Sequence, residues 1–237
     1  MTRRSAVELP GDPGGPRRSA AMVKETGKPS WWWKYVLRAA LAAGSIVPSG
    51  CEGDGPLFVM SLQPVYTRLD LETDSRLIGQ WRDEDGEVTF TFEPGTGKGK
   101  ENEYKLVVKE KNGEQVVSGE FEAHIVRLGR TCFLDIYPQS SEGGSEFYRL
   151  HFARAHTMAR LEIGEDSIQL EFLNAGSLKA KIDEKSVDTP CVGVDGALLL
   201  TGTTEEVQEF LLSEENDDKG FADPLKLEKM KVEEEGR

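Results

Sequence analysis

At 237 residues, with 42 acidic against 29 basic side chains, the chain is long enough for one sizeable domain and an appendage, and its net charge of −13 argues against a nucleic-acid partner. The asymmetry sharpens along the chain: residues 1–51 hold 8 of the basic and 3 of the acidic residues, leaving 21 against 39 in residues 52–237. A body of that sign is repelled by DNA, RNA and anionic lipid headgroups, and its interspersed carboxylates serve first as a solubilising surface.

Residues 1–21 are rich in Pro, Gly and Arg and have no apolar periodicity, so they read as an upstream extension with the true start at Met22. From there Lys24, Lys28, Lys34 and Arg38 form a positive flank, Ala39 to Val47 a short apolar run, and Pro48-Ser49-Gly50 a small-residue approach to Cys51. That order is the order of a bacterial lipoprotein signal peptide. Nine apolar residues suit a signal core and are far too few to span a bilayer. Cleavage before Cys51 would expose its thiol for a diacylglyceryl thioether, and acyl chains are strong tethers because each buried methylene is worth roughly 0.8 kcal/mol. Pro48, where an aliphatic residue is usual, and Arg38, which intrudes on the apolar run, depart from the pattern. The same residues also read as an uncleaved amphipathic anchor or as a disordered tail. The expected organisation is therefore an extension and signal over 1–50, a lipidated terminus and connecting segment over 51–76, a β-domain over 77–231 and a charged tail over 232–237.

Beyond Cys51 the order of elements is mostly strand. Leu77 to Trp81 leads through a turn at Asp83-Glu84-Asp85-Gly86 into Glu87 to Phe92, where Val88, Phe90 and Phe92 alternate with Glu87, Thr89 and Thr91. Period two with aromatic and β-branched residues predicts a half-buried strand. Further strands are predicted at 104–109, 115–127 (bent near Gly119), 131–137, 147–153, 158–163 and 167–173, with Asn112-Gly113 and Glu165-Asp166 as turns. Helices are expected over 174–185, from Leu178 and Ile182, and from Thr203, where Glu206 completes a capping box ahead of Val207, Phe210 and Leu211. A hairpin around Asp195-Gly196 lies between them, and Leu225 to Met230 is a closing strand. So many short strands in sequential order predict a meander that curls into a barrel.

Candidate chemistry is sparse. The Gly95-Thr96-Gly97-Lys98-Gly99-Lys100 loop lacks the spacing, the hydroxyl after the lysine and the following helix of a phosphate loop, so it reads as a hairpin connection. His124, His151 and His156 are the only histidines, and the five-residue step from His151 to His156 would place them on opposite faces of a strand, so no metal site and no cofactor is indicated. Cys132, in an apolar strand, and Cys191, in a loop after Pro190, would pair only through a tertiary coincidence. With no CxxC, thioredoxin chemistry is not indicated either. Asp135 shares a strand face with Phe133 and Tyr137, which reads as the wet face. An inward, pKa-shifted carboxylate is the alternative.

Gly79-Gln80-Trp81 at the first barrel strand, with strands in up-and-down order and a late helix, resembles the lipocalin-like barrels of the calycin group, in which such a Trp plugs one end. Pro64-Val65-Tyr66-Thr67, Asp70, Phe133-Leu134-Asp135, Phe147 to His151, Ala155-His156-Thr157 and Leu200 to Glu206 add a similarity to uncharacterised bacterial lipoproteins with that fold, over most of 60–230. The resemblance implies a mainly β, antiparallel, lipocalin-like barrel with two short helices near its C-terminal end, and an anchor at the membrane on the extracytoplasmic side; it brings no activity. The sequence thus predicts a lipid-anchored envelope module binding an apolar small molecule or an envelope protein. The alternative is an envelope hydrolase in which Asp135 and either His151 or His156 act as acid and base.

Overall fold

A computed structural model of the chain describes residues 58–139, 154–194 and 196–231. The chain runs β1 (Phe58–Ser61), β2 (Leu71–Glu72), a single 3-10 turn (Ser75–Leu77), β3 (Gly79–Asp83), β4 (Val88–Pro94), β5 (Tyr104–Asn112), β6 (Gln115–Leu128), β7 (Thr131–Pro138), β8 (Thr157–Ile163) and β9 (Ser167–Phe172). Then come α1 (Ala175–Asp183), β10 (Cys191–Val194), β11 (Ala197–Leu200), α2 (Thr204–Glu214) and β12 (Leu225–Lys229). Strands β3 to β9 pair antiparallel in order, β12 lies between β9 and β3, and the ring closes. The result is an eight-stranded, up-and-down, lipocalin-like β-barrel. Closure leaves no edge in the ring for another chain to pair with.

Local sequence accounts for the turns. After β3, Asp83 accepts from the Gly86 N–H through its carbonyl and from the Val88 N–H, at 3.0 Å, through its carboxylate, and Gly86 supplies the positive φ of +67° that the turn needs. Between β5 and β6 the ladder pairs Asn112 with Gln115, so the two turn residues are Gly113, at φ +63°, and Glu114. The turn therefore lies one residue later than an Asn-Gly reading places it, and glycine takes the first central position. Thr203 and Glu206 close the expected capping box on α2, while Asn174 accepts from the Ser177 N–H to cap α1. Lys181 on α1 ion-pairs with Glu214 on α2, whose side chain is buried, and with Asp217 beyond it.

Two apolar clusters result. The first fills the barrel: Trp81, the predicted Val88–Phe90–Phe92 face, Leu106, Ala123, Leu134, Ala159, Leu170 and Leu227 point inward. The second lies outside the barrel wall, where β1, α1, α2 and β11 cover Val126, Phe133 and Met158. Residues 58–76, read from sequence as part of a connecting segment, contribute more than a connection. Phe58–Ser61 pairs parallel with β11, and Leu71–Glu72 pairs antiparallel with β6. The strand expected at 147–153 lies outside the described residues. Among the described residues no helix is long and apolar enough to cross a membrane.

Candidate functional site

Trp81 is fully buried in the barrel core, and its indole N–H donates to the Leu77 carbonyl at 2.8 Å. The Lys229 ammonium lies 5.0 Å from the ring centroid and donates to the Arg76 carbonyl. Gly79, at φ +137°, lets this lysine pass: a Cβ there would stand 3.3 Å from its Cε, on a backbone that L side chains rarely adopt. The indole of the expected Gly79–Trp81 plug is thus held by one backbone hydrogen bond, with a cation across its face.

The lumen is packed. Trp81, Leu106, Ala123, Leu134, Ala159, Ile168, Leu170 and Leu227 have no exposed surface at all. A void large enough for water would give the side chains lining it accessible area, so none touches these residues. A cavity of about 110 Å³ opens at one end of the barrel, with Ile125, Leu161, Ile163 and Cys132 as its apolar lining and Glu72, Asp74, Arg76 and Arg127 at its polar side. Ligand pockets for drug-sized molecules run to roughly 300–1,000 Å³. The two arginines are already paired, Arg76 with Asp74 and Arg127 with Glu72.

The polar side chains that converge do so outside the barrel. On β7, Leu134 and Ile136 face inward, while Phe133, Asp135 and Tyr137 face outward, as the alternation predicts. That outer face is dry, however, contrary to the wet-face reading. Val65 and its neighbours cross over it, and Asp135 is fully buried. One carboxylate oxygen accepts from the Val65 N–H at 3.0 Å, and the other lies 2.7 Å from His156 Nδ1. Tyr137 stacks on the His156 ring at 4.4 Å. Ser61 exchanges both backbone hydrogen bonds with His156, and its buried hydroxyl accepts from the Gln63 N–H. From the other side, α2 holds the same segment: Thr204 Oγ1 donates to the Pro64 carbonyl and Gln208 Nε2 to the Val65 carbonyl. Of the two histidines read from the sequence as partners for Asp135, His156 is the one that meets it. Through the Val65 N–H and the Ser61 bridge, the pair holds the N-terminal segment against the barrel wall.

Tyr66 and His124 extend this cluster, with ring centroids 4.6 Å apart. Burial, reinforced by the negative charge of Asp135, Glu122 and Glu103, pushes the Tyr66 hydroxyl up to about 12. Burial also pulls His124 below its ordinary 6.5, against the opposing pull of Asp135 and the glutamates, and its Nδ1 is buried without a partner. Because the folded state disfavours His124 protonation, the unfolded chain binds more protons, and stability falls as pH drops below 6.5 toward the folded value. Urea midpoints measured at pH 7.5 and 5.5 are expected to show this loss, and a smaller one in His124→Phe, which keeps a ring against Tyr66.

Cys132 packs against the barrel core and Cys191 against the outer cluster. Both are free thiols here, and burial pushes each above its ordinary range. Cys51 and His151 lie outside the described residues. Among the described residues no three His, Cys, Asp or Glu side chains converge as a metal set.

Comparison with family models, curated proteins and solved structures gives no match.

Proposed function

We propose that the chain is a lipid-anchored envelope protein, tethered through Cys51, whose acidic barrel acts as a binding module for an envelope partner through its surface. The observation that carries this reading is the packed lumen. Eight inward side chains have no exposed surface, and the cavity that Ile125 and Leu161 line holds only about 110 Å³, which favours recognition on the outside. The anchor rests on the basic flank, the apolar run and the small residues that precede Cys51. In a bacterial host that processes lipoproteins, radiolabelled palmitate should enter the wild type and not Cys51→Ala. Label that survives the substitution would refute the anchor.

A second reading draws on the Asp135–His156 contact, which has the form of a carboxylate orienting a general base. It makes the protein an envelope hydrolase. Against it, the second Asp135 oxygen already holds the Val65 N–H, and His156 is itself buried. Ester hydrolysis by the wild type that disappears in both Asp135→Asn and His156→Ala, with the fold retained, would favour the hydrolase. No turnover in the wild type would dismiss it.

A further inference from the structure

The small sheet formed by β1, β11 and β10 is apolar on both faces. Apart from Ser61 and Gly193, every residue in its three strands is apolar, so the strands read as continuous hydrophobic runs, the pattern of a sheet covered on both sides. The register separates the faces. Val59, Leu198 and Leu200 turn inward onto the outer cluster of the barrel wall. Val192, Val194, Leu199 and Met60 share the opposite face with the half-buried Phe58 and with Ala197, which the chain itself covers. There Val192 and Val194 are 48% and 44% exposed, although their strand partners are apolar. Between Asp188 and Glu205 the only charged residue is Asp195, in a chain that is 30% charged overall. A solvated face is not built this way.

The course of the chain says what meets it. β1 runs parallel to β11, so Phe58 lies beside Ala197, at the same end of the sheet as the β10–β11 turn. Only residues 52–57 separate Phe58 from Cys51, which at full extension span at most about 25 Å. A lipid on Cys51 therefore holds the turn end of this sheet close to the bilayer. The charge-free face suits the boundary between headgroup and acyl chain of neutral, zwitterionic lipid, and the acidic body would be repelled by an anionic surface.

We propose that the outward face of the β1–β11–β10 sheet lies against the lipid surface in which Cys51 is anchored, as a second membrane contact that fixes the orientation of the barrel. The proposal builds on the Cys51 reading but is tested apart from it. The full chain is bound to phosphatidylcholine vesicles, and amide exchange is followed peptide by peptide with and without vesicles. Peptides over 191–200 are expected to exchange about five-fold or more slowly on vesicles. Those over 115–119, where Val116 and Val117 are at least as exposed, should not change. In Val192→Asp/Val194→Asp the vesicle-dependent slowing should vanish while the rest of the exchange pattern is kept.

Failure of the full chain to float with vesicles overturns the proposal, as do unchanged rates at 191–200 in floated protein and slowing that survives the double substitution. Slowing that appears without vesicles and grows with protein concentration assigns the face to a second copy and also overturns it. Palmitate labelling of the same preparation reports the anchor separately. Labelled protein with unslowed β10 and β11 refutes the sheet contact and leaves the anchor standing. Unlabelled protein with the slowing refutes the anchor and supports the contact.

Discussion

Trp81→Ala is expected to cost about 3–5 kcal/mol, the range for removing a large aromatic side chain from a packed core. The indole is fully buried among the barrel's core side chains, and its removal empties that space while also taking away the N–H that satisfies the Leu77 carbonyl. The surrounding strands are held in a closed ring, so they cannot collapse freely into the vacancy. Trp81→Phe keeps most of the apolar volume and loses the donor, and its cost should be about 1–3 kcal/mol, the penalty for leaving one buried polar group unsatisfied. Urea denaturation of the two variants measures both values. Equal losses would mean that the hydrogen bond, not the packing, secures this part of the core.

The second large effect is expected at Asp135. Asp135→Ala leaves the Val65 N–H and the His156 ring nitrogen facing a void where a carboxylate had joined them, and the loss should be about 3–5 kcal/mol, as for breaking a buried, hydrogen-bonded pair. The damage should be local as well as global. Val65 and Ser61 belong to the segment that this carboxylate fastens, so amides over 59–66 should exchange faster in the variant while those in β4 and β5 keep their protection. Asp135→Asn retains an acceptor for the Val65 N–H and should lose less. Unchanged exchange over 59–66 in Asp135→Ala would remove the fastening role and return Asp135 and His156 to the list of groups whose pairing needs another explanation.

The inward faces were legible because period-two alternation is a local signal that the barrel simply obeys. Val88, Phe90 and Phe92 all enter the core, and Leu134 and Ile136 oppose Asp135 across β7 as the spacing requires. Thr203 and Glu206 were equally legible, since a capping box is decided within four residues. What escaped was anything set by a partner distant in sequence. β1 is four residues long with apolar side chains on both faces, so it carries no periodicity, and its parallel partner β11 lies more than a hundred residues on. Alternation gave the direction of Asp135 correctly but not what covers it. The aromatic neighbours Phe133 and Tyr137 on the same face were the available sign that this face is dry. The approach of His156 to Asp135 depends on the pairing of β7 with β8, in which Asp135 faces Met158, and on the Ser61 bridge. Neither register is written in local spacing. The order of the meander and the Gly79-Gln80-Trp81 tripeptide together made the lipocalin-like barrel readable, but whether its lumen was open depended on how large side chains from eight strands meet.

Native mass spectrometry of the protein, purified from its host under mild conditions, tests the packed-lumen account most directly. The account predicts the mass of the covalent polypeptide with no small molecule attached. One apolar ligand retained per barrel would contradict it, because the space that Leu106, Leu134, Leu170 and Leu227 fill would then have to belong to a guest.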